Sequence, residues 1–470
     1  MTLTAIHLSA SVDQNQSPIR SSEGRSDELR SLRWYQNEGL EKFRGKRHAF
    51  FAMEMRLGKT LTAIRWILTQ DARHVLIVAP KTVLTAWEEE LSTEGLDYIN
   101  LTTLKGGIPA RVPHIENPSN RFLLINYESI PRMTLVLNGC DAIIADEITK
   151  IKNFKSKSTQ VLLRWAKRAK YSAGLSGQPA PESWEEIWTQ MAFSYGGEWM
   201  GEKKFWPWKM RYFKQHGFDW VVLPNKVQTL KAQFHNDAYV ITRADAGLAN
   251  EKIYEKIVGE LSDEERSIYK GIEKTWTHPS GDETKFAMVV AGWYRRITSG
   301  VLLPGMMCWK YEEIIRLITT DLKNSSIVIW CSFRQELYLL WQLMKERKIS
   351  ATWMSGATSY QDRQSRIKAF QQGKRRIFLV QVDCGQFGID LSTADTCIYA
   401  SSPWSYEKRA QSEDRIFKVG KTSSLLVVDL VTKNTIDETV MESLKCKNSS
   451  AKFLLQKLGI KEPKGRKDYP

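Results

Sequence analysis

Short apolar runs recur along the chain, each separated from the next by a stretch with helical spacing. HAFFAM, HVLIVAP, RFLLINY and CDAIIADE are such runs in the first half, and LTAIRWIL and TVLTAWEEEL are two of the helical stretches. A run that is apolar at nearly every position suits a strand covered on both faces. Strand and helix in alternation then predict parallel βαβ units. The same pattern returns at SSIVIWCSF, ATWMSG, RRIFLVQV, DTCIYA and SLLVVDLV. Residues 181–310 read as helical instead and contain a dense aromatic stretch, WMGEKKFWPWKMRYF. Order begins at SLRWYQNEGLEKF, where Leu32, Tyr35, Leu40 and Phe43 share a helical face. Residues 1–30 are polar without an apolar period and read as a mobile tail; residues 446–470 read as a basic tail. The predicted organisation is an α/β lobe over 31–180, a helical middle over 181–310 and a second α/β lobe over 311–445.

Composition narrows the functional classes. The chain of 470 residues is 42% hydrophobic and 26% charged, a globular balance. Its 68 Lys and Arg outweigh 53 Asp and Glu, giving +15, which favours a polyanionic partner. No apolar run reaches the roughly 18 residues of a membrane span, and no secretory leader pattern opens the chain, so an internal, cytoplasmic location is expected. The six cysteines form no CxxC pair and read as buried reduced thiols, and the seven histidines are scattered.

The sharpest chemical signal is MEMRLGKT, between the strand HAFFA and the helix LTAIRWIL. Gly-Lys-Thr at a helix start offers backbone N–H groups and a positive dipole end to phosphates. Lys59 can reach β- and γ-phosphates, and the Thr60 hydroxyl can hold Mg²⁺. The first glycine of the general phosphate-loop pattern is replaced by Met53, so this string alone is also compatible with a chance Gly-Lys-Thr. The second signal is Asp146–Glu147, two carboxylates ending the strand DAIIADE. There Asp146 can hold the metal and Glu147 can polarise the attacking water. An exposed acidic pair opening a helix would look the same in isolation.

Taken in order, these strings resemble the Swi/Snf-like DNA translocases of helicase superfamily two, from about Leu32 to Leu444. LRWYQNEGL resembles the family's LRPYQ…GL, whose glutamine, here Gln36, recognises adenine. EMRLGKT resembles DEMGLGKT, which itself lacks the first glycine. LIVAPKTVLTAWEEEL, INYE, ADEITKIKN and LSGQPAPES are similar to the motifs that follow in the first lobe. IVIWCSF, MSGATSYQDRQSRIKAF, GQFGIDLSTADTCIYASSPW and QSEDRIFKVGK are similar to those of the second. The resemblance implies two RecA-like parallel-sheet lobes with helical insertions, closing on ATP and Mg²⁺. It implies that Gln36, Arg56, Gly58, Lys59, Thr60, Gly388 and Asp390 line the nucleotide, with Thr60 and Asp146 on the metal. It assigns catalysis to Lys59, Asp146, Glu147, Arg415 and Lys418. It places Lys81, Thr82, Tyr127, Arg334, Gly356 and Arg363 at DNA. The implied partner is duplex or branched DNA, bound by a monomer in a bacterial or phage-infected cell.

Departures from the family pattern are specific. Arg56 replaces a glycine, Thr149 the histidine of DEAH, Gln178 a threonine, Asp390 an asparagine, and Lys418 an arginine, leaving Arg415 as the clearer finger. The run KIKNFKSKSTQVLLRWAKRAK carries eight basic residues and no acid, as either a phosphate contact or a solvated face. In 199–220, tryptophans interleave with lysines. Base stacking is one reading, and packing of a helical protrusion on the first lobe is the favoured one. Three functions stay open at this point: a duplex translocase, a strand-separating or branch-migrating helicase, and a non-catalytic nucleic-acid scaffold. Intact Lys59, Thr60, Asp146 and Glu147 argue against the last.

Overall fold

The computed structural model describes residues 30–445, apart from 117–119, 133–138, 178, 180–183, 217–218, 249–251, 285, 387–388 and 418–423. Gln178, Gly388, Lys418 and both predicted tails lie outside the described residues.

The first sheet takes β1 (His48–Met53), β2 (Val75–Ala79), β3 (Tyr98–Asn100), β4 (Phe122–Asn126), β5 (Ala142–Ala145) and β6 (Tyr171–Ser176). A hairpin of β7 (Phe213–His216) and β8 (Asp219–Val222) stands apart, and β9 (Tyr239–Ile241) rejoins the sheet. The order is β3-β4-β2-β5-β6-β1-β9, parallel throughout. The second sheet takes β10 (Lys252–Gly259), β11 (Ile327–Cys331), β12 (Ala351–Met354), β13 (Ile377–Gln381), β14 (Thr396–Tyr399) and β15 (Leu425–Thr432). Its order is β10-β15-β14-β11-β13-β12, again parallel.

The continuous apolar runs follow from burial on both faces. Phe50 and Ala52 pack with Leu76, Val78 and Ile143 on one side; Phe51 and Met53 pack with Val75, Ile77 and Ile144 on the other. The second sheet divides likewise, with Ile327 and Ile329 on one face and Val328 and Trp330 on the other. Each fully buried side chain of this size stabilises by about 1.5–3 kcal/mol.

β6 reads YSAGLS and was not among the expected runs, because its residues are small rather than β-branched. The packing explains the choice. A Cβ on Gly174 would lie 2.3 Å from the Ser194 hydroxyl and 2.8 Å from Ile148, so only glycine admits the buried helix Ile187–Ser194 there.

The middle segment is less purely helical than its pattern implied. β9 completes the first sheet and β10 forms the edge of the second, so the lobes meet between Ile241 and Lys252. β9 is only three residues long, and β10 (KIYEKIVG) is largely exposed and charged, which hides both from a hydrophobicity reading. The helices Asp263–Thr275 and Ala287–Thr298 pack together beside the second lobe. Ser262 and Glu265 cap the former reciprocally, as the S-x-x-E spacing permits.

The aromatic stretch is packing. Trp199, Phe205, Trp208, Tyr212 and Phe213 join the core of the first lobe, and Lys209 is buried with its ammonium 2.7 Å from Glu185 and over the Trp220 ring. Only Trp206 is substantially exposed among these rings. In the basic run, Lys155, Lys157, Arg164, Lys167, Arg168 and Lys170 lie on the surface. The five described cysteines are buried and unpaired with one another. Among the described residues no helix is long and apolar enough to cross a membrane.

Candidate active site

Parallel strands bring their carboxyl ends to one edge, where loops of open α/β sheets bind ligands. The phosphate loop leaves β1 at Met53 and enters the helix Lys59–Leu68 through Gly58 at φ +75°, a left-handed turn that aims the first helical N–H groups outward. Lys59 Nζ donates to the Met53 carbonyl at 3.0 Å, and Thr60 sits half-buried on the first turn. Gly177, just beyond β6, lies beneath this loop: a Cβ there would stand 3.1 Å from Met55 and 3.5 Å from Lys59 Nζ.

Gln36 is 5% exposed and braces the same loop. Its amide donates to the Gly58 carbonyl at 3.2 Å and its carbonyl oxygen accepts from the Arg33 N–H at 2.9 Å. The expected adenine contact would use its remaining N–H.

β5 ends one strand away from β6 and delivers the two carboxylates. Asp146 is buried; Oδ2 accepts from Trp87 Nε1 at 2.9 Å and Oδ1 from the Glu147 N–H at 2.8 Å. Burial, and then the neighbouring Glu147, push its carboxyl up to about 6, against the pull of Lys59. Glu147 sits at φ +48°, which turns it out of the strand direction into the cleft mouth, half-exposed. Thr149, which replaces the DEAH histidine, is buried.

The second lobe supplies Arg415 at the end of the helix Tyr406–Asp414. Burial, and then Arg56, lower its guanidinium to about 10, while Glu147 favours its charge. Arg56 reaches from the phosphate loop to Asp390 Oδ1 at 3.1 Å and to the Arg415 carbonyl at 3.2 Å. Thus Gln36 and Arg56 brace the loop that carries Gly58, Lys59 and Thr60, Lys59 acts on Asp146, and Arg56 and Glu147 act across the lobe junction on Asp390 and Arg415.

The expected DNA contacts fall outside that cleft, on loops at the same strand ends. Lys81 and Thr82 follow β2, Arg334 opens the helix after β11, and Gly356 and Arg363 follow β12. Lys81, Arg334 and Gly356 are exposed and Arg363 half-buried. Tyr127 is a correction. Its ring is 5% exposed and its hydroxyl donates to the Asp146 carbonyl at 2.9 Å, so the side chain supports the catalytic strand end from the core rather than touching DNA.

Sequence reasoning passed over Trp87, Glu54, Arg243 and Asp414. Arg243 follows β9; its backbone N–H donates to Glu54, its guanidinium pairs with Glu54 and, at 2.7 Å, with Asp414, and it lies over the Phe417 ring. A cavity of about 810 Å³ borders this cluster, lined also by Lys252, Arg409 and Glu413.

A family model described as the SNF2-related domain matches residues 29–291, more than half of the chain. The chain belongs to the SNF2-related family. A second model, the helicase conserved C-terminal domain, matches residues 309–420. The first match covers the first lobe and runs on through β10 and the helix Asp263–Thr275; the second covers β11 to β14 and stops before β15.

Among curated relatives, the CHD3-type chromatin-remodeling factor CHR7 of Arabidopsis thaliana is 25% identical, over 89% of this chain and 37% of its own length. The ISWI chromatin-remodeling complex ATPase ISW2 of Saccharomyces cerevisiae is 24% identical, over 97% and 42%. An uncharacterized ATP-dependent helicase of Mycoplasma genitalium, MG018, is 22% identical, over 89% and 41%. The chain spans about two fifths of the length of these relatives. A solved structure, the Sulfolobus solfataricus SWI2/SNF2 ATPase core in complex with dsDNA, is 22% identical, covering 91% of this chain and 95% of that one at a TM-score of 0.42.

Proposed function

We propose that this SNF2-related chain hydrolyses ATP, that DNA stimulates the turnover, and that the cycle of lobe closure moves the protein along duplex DNA. The observation that carries the reading is the meeting of Lys59, Asp146 and Glu147 with Arg415 across one cleft. The relatives named as a chromatin-remodeling factor, a chromatin-remodeling complex ATPase and an ATP-dependent helicase support it, as does the net charge of +15.

The residues present fit a magnesium nucleotide. A hydroxyl at Thr60 and a buried carboxylate at Asp146 are hard oxygen donors, and a cation beside Asp146 would favour the charged carboxylate against the burial that raises it. Magnesium, when bound, neutralises phosphate charge and orients the terminal group. Lys59 would exchange the Met53 carbonyl for β- and γ-phosphate oxygens. Glu147 would orient the attacking water and accept its proton. Arg415 would neutralise charge gathering on the terminal phosphate, a role its planar fork suits. Lys81, Thr82, Arg334, Gly356 and Arg363 would hold DNA phosphates across both lobes, with little base selectivity.

The test is ATP turnover with and without duplex, single-stranded, forked and four-way DNA, combined with triplex displacement. Duplex-stimulated turnover with displacement of the third strand is expected. No turnover with any DNA would overturn the enzyme reading, and robust unwinding of long duplexes would assign strand separation instead.

A further inference from the structure

Two of the chain's departures from its family's motifs meet each other. Arg56 stands where the pattern DEMGLGKT has glycine, and its own backbone lies in the left-handed region, at φ +69°. Such a conformation is unfavourable for a residue with a Cβ, so the side chain must return something for it. Asp390 stands where the pattern GGLGINL has asparagine. The Arg56 guanidinium donates to Asp390 Oδ1 at 3.1 Å, across the lobe junction. A neutral glycine and asparagine have become an ion pair.

The pair is tied to the finger residue itself. The Arg415 carbonyl accepts from Arg56 Nη2 at 3.2 Å and from the Leu391 N–H at 2.9 Å. Asp390 also accepts from the Ser392 N–H at 3.1 Å, which fixes its carboxylate on the same turn. Arg56 therefore grips both sides of the point where the 390–392 turn is bonded to Arg415. Asp390 has a second task, since Arg56 without a counter-ion would repel the Arg415 guanidinium.

We infer that Arg56 is a positioning residue, which with Asp390 latches the finger-bearing segment of the second lobe onto the phosphate loop and favours a closed cleft before DNA binds. The catalytic part of this inference rests on the ATPase reading above; the latch itself does not. Both partners are partly exposed, so the pair changes a closed-to-open ratio by up to about fivefold.

The experiment compares wild type with Arg56→Gly, Asp390→Asn, the double variant, and the charge exchange Arg56→Asp with Asp390→Arg. Glycine accepts the positive φ without strain, so Arg56→Gly should fold at least as well as wild type. Small-angle scattering without nucleotide should show wider dimensions for both single variants, no further widening in the double, and recovery in the exchange. DNA-free ATP turnover should fall about three- to fivefold in each single variant with KM for ATP within about twofold, and the double should lose no more than either single. Equal dimensions in wild type and Arg56→Gly, or additive losses in the double, would overturn the latch. A wild-type chain without any ATP turnover would instead refute the ATPase reading, and the scattering comparison would still decide the latch.

Discussion

Trp87 donates its indole N–H to Asp146 Oδ2 at 2.9 Å, with both side chains buried in the first lobe. With the Glu147 N–H on the other oxygen, the bond fixes the rotation of the carboxylate. Groups that orient a metal-holding carboxylate typically change metal affinity by about 10–100-fold when removed. Trp87→Phe keeps an aromatic ring and deletes the donor. It should raise the magnesium concentration needed for half-maximal turnover about tenfold and cost about 2 kcal/mol of stability. An unchanged magnesium titration would show that Asp146 is oriented without it.

Lys59 and Glu147 separate binding from chemistry. Lys59→Ala removes the cation proposed to meet the phosphates, and nucleotide affinity and turnover should both collapse. Glu147→Gln preserves size and leaves the left-handed turn at φ +48° in place. It should retain ATP affinity while losing at least about a hundredfold in turnover, because the amide cannot accept the water's proton. Fluorescent-nucleotide binding beside a phosphate-release assay distinguishes the two. Near-normal turnover in Glu147→Gln would remove Glu147 from the mechanism.

A pH effect on stability follows from Glu336, fully buried at the start of the helix Arg334–Glu346. Its Oε2 accepts from Ser401 at 2.6 Å and from the Phe333 N–H at 3.3 Å. Burial raises its carboxyl to about 7, although Ser401, Lys310 and Arg295 favour the charged form. The folded state therefore binds the proton more tightly than the unfolded state does. Stability from this group is present below the unfolded value and is lost as pH rises through about 7, by up to about 3 kcal/mol. Melting temperatures should fall between pH 5 and pH 8 in wild type, and the slope should flatten in Glu336→Gln. Equal slopes would place the titration elsewhere.

What could be read from the chain follows burial. β1, β2, β4 and β5 are apolar because helices cover both faces, so HAFFAM or CDAIIADE declares itself without any structure. β6 is hidden because the packing against Ser194 and Ile148 asks for small residues there. β10 is hidden because an exposed edge tolerates lysine and glutamate. The residues gathered at the cleft stand out in the chain because a lysine, a hydroxyl and carboxylates at strand ends are the groups that the proposed phosphate chemistry would use. Their supports were not: Trp87 meets Asp146 across 59 residues, and Arg56 meets Asp390 across 334, and neither separation leaves a local pattern. Tyr127 illustrates the opposite error, a motif residue whose ring faces the core.

Arg243 supplies the last prediction. It joins Glu54, just before Arg56, to Asp414, the residue before Arg415, and its guanidinium lies over Phe417. The arginine side chain is only 10% exposed and that of Asp414 3%. Burial raises the Asp414 carboxyl, while Arg243 and then Lys252, at 3.9 Å, favour its charge. Without Arg243, Glu54 and Asp414 would face each other with Lys252 as the remaining close cation on Asp414. Removing one member of a buried charge cluster costs about 3–5 kcal/mol, most of it from the partners left uncompensated. Arg243→Ala should therefore lower the urea midpoint strongly, by about 3 kcal/mol of stability, whereas Arg243→Lys should recover only part, since a single ammonium cannot fork between two carboxylates. Asp414→Asn in the Arg243→Ala background should restore stability, because it removes the charge that the arginine had balanced. Denaturant titration of wild type, Arg243→Ala, Asp414→Asn and their double variant closes a double-mutant cycle, and a coupling of at least about 1 kcal/mol is expected. Additive losses would mean that Arg243 and Asp414 act independently and that the lobes are joined there by packing on Phe417 alone.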